Sequence, residues 1–70
     1  MINTKEIKKL MIDAEMNIGD LARELGITRG YTSDVIHGRR PLTLAVANKM
    51  QDALGISNAD FGFYFLDGGE

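Results

Sequence analysis

Apolar residues recur along this chain at helical intervals. Ile7, Leu10, Met11 and Ala14 fall at i, i+3, i+4 and i+7, the spacing that lines one face of an α-helix. Asn3 and Glu6 ahead of them form a capping-box pattern, in which side chains satisfy free N–H groups of a first turn. Lys5, Lys8 and Lys9 lie off that face and are expected in solvent. Ile18, Leu21, Ala22 and Leu25 repeat the interval, with Asn17 and Asp20 as start signals and Gly26 as the stop. Thr28 can cap a third helix running to about Ile36, its inner face drawn from Tyr31, Thr32, Val35 and Ile36. Gly38 ends it, and Arg39-Arg40-Pro41 forms a basic loop that cannot continue the helix. Thr43 can cap a fourth helix carrying Val46, Ala47, Met50, Ala53 and Leu54, closed by Gly55. The segment after Ser57 and Asp60 is ambiguous. Phe61-Gly62-Phe63-Tyr64-Phe65-Leu66 partly alternates as a strand would, yet follows a cap signal; a short helix is the expectation, and residues 67–70 are expected to fray.

Composition narrows the function classes. The 70 residues contain no Cys and one His (His37), so neither disulfides nor a zinc-ligand set is available. No uncharged stretch approaches the roughly 20 apolar residues that a membrane span requires. The N-terminus lacks the apolar run of a signal peptide. The expectation is one soluble, cytoplasmic, all-α domain over residues 1–70, a compact bundle of four to five short helices. No nucleophile, metal cluster or acid–base pair stands out, so neither an enzyme, a cofactor nor a small-molecule ligand is expected.

The net charge of −2 hides an asymmetry. Residues 1–49 carry all eight Lys and Arg against six acids, whereas residues 50–70 carry four acids and no Lys or Arg. Such a split points to a polyanion partner at the basic end. The stretch from Ile18 to Val35 gives that partner a geometry. Two short helices joined at Gly26-Ile27 make a helix-turn-helix, about residues 17–37, if the packed position is small and the turn admits positive φ. Ala22 and Gly26 meet those two conditions.

The run Asn17-Ile18-Gly19-Asp20-Leu21-Ala22-Arg23-Glu24-Leu25-Gly26-Ile27-Thr28-Arg29 resembles the second helix, turn and third-helix start of the lambda-repressor-like (Cro and repressor, XRE-type) helix-turn-helix domains. Tyr31-Thr32-Ser33, Gly38-Arg39-Arg40-Pro41 and Ala53-Leu54-Gly55-Ile56-Ser57 fall at that family's spacing. The resemblance covers roughly residues 4–66. It implies a bundle whose third helix enters the major groove of double-stranded DNA, commonly as half of a homodimer on a palindromic operator. It also implies Arg29, Gly30, Ser33 and Asp34 at base-reading positions. Arg29 can bridge guanine O6 and N7, and Asp34 can accept from cytosine N4. Asn17, Thr28, Tyr31, Arg39 and Arg40 are implied phosphate contacts, which fix register rather than sequence. The function implied is a bacterial or phage transcriptional regulator, a repressor that acts by occupying its site.

Three positions depart from the family pattern: Ile18 replaces a polar residue, Thr32 an aliphatic one and Ile36 a polar or acidic one. With Asp34 and the acidic C-terminal third, they frame a second expectation, a protein-interaction module of anti-repressor or antitoxin type. Phe61, Phe63, Tyr64 and Phe65 within five residues exceed what so small a core absorbs completely, so this end is expected to supply a dimer contact, the alternative being a C-terminal helix that closes the core.

Overall fold

The computed structural model describes residues 2–66. Five α-helices follow one another: α1 (Thr4–Asp13), α2 (Ile18–Leu25), α3 (Arg29–Ile36), α4 (Leu44–Leu54) and α5 (Phe61–Phe65), with a 3₁₀ turn at Asn58–Asp60 leading into the last. The described residues contain no strand, so the all-α expectation holds and the ambiguous segment is helical. The expected fray at 67–70 lies outside the described residues. Among the described residues no helix is long and apolar enough to cross a membrane.

The helix starts follow from single side chains. Asn17 and Asp20 form a reciprocal capping box: the Asp20 N–H donates to Asn17 Oδ1 at 2.8 Å and the Asn17 N–H to Asp20 Oδ2 at 3.1 Å. Thr28 and Thr43 accept from the Tyr31 and Val46 N–H groups at 3.1 and 3.2 Å. Each covers one of the amides that a helix start leaves unpaired.

The turn of the helix-turn-helix closes on Gly26, at φ 70 and ψ 28. Ile27 N–H reaches Ala22 O at 3.2 Å and Gly26 N–H reaches Arg23 O at 3.3 Å, a Schellman closure. α1 ends in the same pattern without a glycine: Glu15 sits at φ 56 while Met16 N–H bonds Met11 O at 2.9 Å. This ending corrects one expectation. Ala14 does not extend the apolar face of α1; it caps the helix and is exposed, because the left-handed turn carries the chain away one residue later.

The core gathers one stripe from each helix. Ile7, Leu21, Leu25, Val35, Ile36 and Met50 are essentially inaccessible, and α2 packs against both α3 and α4. Ala22 is buried in the α2 stripe that meets them, as the small position of the motif requires. α5 closes the bundle over α1, and the Asn3 N–H donates to Tyr64 O at 2.8 Å. The Thr4 hydroxyl donates to the Ile36 carbonyl and fixes the start of α1 on the end of α3.

The three departures are absorbed inside the bundle. Thr32 is fully buried, and its hydroxyl donates to Thr28 O at 2.8 Å, so its polarity is satisfied within α3. Ile36 is a core residue, and Ile18 packs partly buried against the core.

Candidate nucleic-acid interface

Burial of Thr32, Val35 and Ile36 fixes the rotation of α3 about its axis. The opposite stripe is then Arg29, Gly30, Ser33, Asp34 and His37, at offsets of one and four residues. These side chains range from half-exposed to exposed. The four expected base-reading residues therefore share the outward face of one helix.

Arg29 stands at the first position of α3, exposed and without a hydrogen bond or ion pair among the described residues. Thr28 covers the Tyr31 N–H and leaves those of Arg29 and Gly30 unpartnered among the described residues, so the helix start presents donors beside a guanidinium. Thr28 keeps its hydroxyl proton to donate. Asn17 is more committed, since its side-chain oxygen and backbone N–H are both used in the α2 cap; its amide NH₂ is what remains for a phosphate.

Gly30 occupies open space, with nothing within 4 Å of where a Cβ would lie. Gly30→Ala is therefore expected to stabilise α3 by about 0.5–1 kcal/mol through helix propensity alone. A circular-dichroism melt checks this as a rise in Tm of several degrees.

The C-terminal half of the stripe is a bonded cluster. Asp34 Oδ1 accepts from Arg39 Nε at 2.9 Å, and Asp34 Oδ2 from Arg40 Nε at 3.2 Å. Arg39 Nη2 also donates to Ser33 Oγ at 3.3 Å. Arg40 lies over the Tyr31 ring, 5.3 Å from its centroid, and Tyr31 itself is half-buried against the core. The Arg39 hydrogen bond above all holds the Asp34 carboxyl below its ordinary value; desolvation opposes it, and the Arg40 hydrogen bond and the two positive charges add to the lowering. His37 ends the helix with Nδ1 at 2.8 Å from the Ser33 carbonyl.

The sequence alone did not reveal that Asp34, Arg39 and Arg40 belong together. Their separations of five and six residues match no helical neighbour rule, because Gly38 at φ 78 folds the chain back between them. A glycine followed by two arginines after a helix bearing an outward acid was the available signal.

The four aromatics divide. Phe65 is 2% exposed and serves the core, which corrects its expected place at a partner surface: the α5 face bearing it turns inward onto the bundle. Phe61 and Tyr64 are half-buried against the core, with Phe61 4.8 Å from the Phe65 ring. Phe63 is 48% exposed and meets Tyr64 edge-on at 5.0 Å. No group of three or more His, Cys, Asp or Glu among the described residues can hold a metal ion.

Capped α2, a left-handed glycine turn and an α3 with an outward polar stripe define a helix-turn-helix protein. The chain belongs to the Cro/C1-type helix-turn-helix DNA-binding domains, whose family model matches residues 6–62. No curated protein and no solved structure matches it at a significant level.

Proposed function

We propose that this chain is a sequence-specific transcriptional regulator, a Cro-type repressor of bacterial or phage origin acting in the cytoplasm, with α3 laid in the major groove. The observation that carries this reading is the exposed, unpaired Arg29 at the start of α3, on the same face as the basic loop Arg39-Arg40 at its other end. Arg29, Ser33 and Asp34 face the base edges. Thr28, Tyr31, Arg39, Arg40 and the Asn17 amide hold phosphates on either side, and Gly30 leaves room for the backbone to approach. A homodimer on a palindromic operator follows if Phe63, flanked by Phe61 and Tyr64, meets its counterpart on a second copy.

Titration of a random-sequence duplex at several salt concentrations tests the reading. Affinity is expected to fall steeply with log salt, as phosphate neutralisation releases counterions. Arg40→Ala is expected to weaken binding evenly across sequences and to flatten the salt slope by about one. Absence of binding at low salt overturns the regulator. The rival, a protein-interaction module on the same fold, is favoured by one observation: Asp34 already neutralises part of the basic loop.

A further inference from the structure

We infer that Asp34 is a positioning residue that widens the gap between specific and non-specific DNA binding, by holding Arg39 and Arg40 until a cognate site releases them. The inference rests on the DNA-binding reading above.

Asp34 bonds both arginines of the basic loop through backbone and side chain alike. The Asp34 carbonyl accepts the Arg39 N–H at 2.7 Å and the Arg40 N–H at 3.2 Å, while its carboxylate takes Nε of both arginines, one on each oxygen. The backbone bonds place the two residues at the end of α3; the carboxylate then fixes where their guanidinium groups point. With side chains 59% and 55% exposed, Arg39 and Arg40 sit in water, where such ion pairs are weak and exchange readily. A phosphate competes for the same N–H groups and forms charge-assisted bonds at least as good.

The exchange has a consequence for Asp34 itself. When phosphates take both arginines, its carboxylate is left uncompensated on the face turned to a polyanion. Random DNA offers nothing in return. A site presenting a cytosine N4 amine at the Asp34 position supplies the missing donor. The cluster therefore taxes binding wherever that donor is absent, and such discrimination comes from a repulsive element as much as from an attractive one.

Asp34→Asn removes the charge at nearly constant shape and keeps the backbone anchors, so its melt is expected to match the wild type. Asp34→Ser serves as a second variant that cannot substitute amide contacts. Both are expected to bind a random-sequence duplex about tenfold more tightly at low salt. In an Arg39→Ala/Arg40→Ala background the same change is expected to gain several-fold less, because the repulsion from phosphate remains but no arginine is left to release. Equal gains in the two backgrounds mean that simple repulsion between Asp34 and phosphate is at work, and overturn the positioning role. So does an unchanged affinity in a variant whose parent binds DNA. If neither parent nor variant binds at low salt, the regulator reading itself falls, and the inference with it.

Discussion

Phe65→Ala is expected to remove a third or more of the protein's folding stability. Phe65 is 2% exposed and is the largest fully buried side chain of the core cluster. Truncating a buried Phe to Ala typically costs about 3–5 kcal/mol, from lost transfer energy and the cavity left behind. A 70-residue domain holds only about 4–10 kcal/mol in total, so one such change removes much or all of it. No disulfide is present to offset the loss, since the chain has no cysteine. Urea or thermal melts followed by circular dichroism read the result directly.

Phe63→Ala provides the contrast. Its ring is 48% exposed and rests on Tyr64 rather than in the core, so the monomer is expected to lose less than about 1 kcal/mol. Sedimentation across a concentration series then asks whether self-association weakens. A Phe63→Ala protein that melts like the wild type but no longer associates identifies the partner surface. A wild type that stays monomeric at high concentration removes the dimer from the proposal. The pair separates two roles that the aromatic cluster merges when read as sequence.

What was legible along the chain was what is decided locally. Asn17 with Asp20, Thr28 and Thr43 mark helix starts because a side-chain oxygen reaches an amide two or three residues on, whatever the rest of the fold does. Gly26 marks the turn because left-handed backbone favours it. The illegible parts depend on distant packing or on a residue acting against its type. Glu15 takes a left-handed conformation with no glycine to announce it, and so Ala14 was expected on a face that the helix had already left. Phe61, Phe63 and Phe65 alternate like a strand, yet helical spacing brings Phe61 against Phe65 and turns both toward the bundle. The Asp34 cluster exists only because Gly38 reverses the chain. At the interface, the outward stripe was predictable from the inner one, whereas the bonds within it were not.

Arg29→Ala is expected to erase much of the protein's sequence preference while sparing its fold. The side chain is exposed at the first position of α3 and makes no hydrogen bond, ion pair or ring contact among the described residues, so its removal leaves no orphaned polar partner. Stability is expected to stay within about 0.5 kcal/mol of the parent. A bidentate contact to guanine is worth ~1–3 kcal/mol of discrimination, which corresponds to roughly 5- to 150-fold in relative affinity. The measurement is a selection from a random duplex library with the wild type, followed by titration of the winning site and of a random duplex with both proteins. The variant is expected to lose affinity for the selected site by that factor and for random duplex by only the weight of one lost charge. The preferred base at one position of the selected site is expected to relax when the selection is repeated with the variant. Equal losses on both duplexes instead make Arg29 a phosphate contact and move base reading to Ser33 and Asp34. Because Asp34 is tied to the loop in the free protein whereas Arg29 is not, the unpaired arginine is free to engage a partner without first breaking an ion pair.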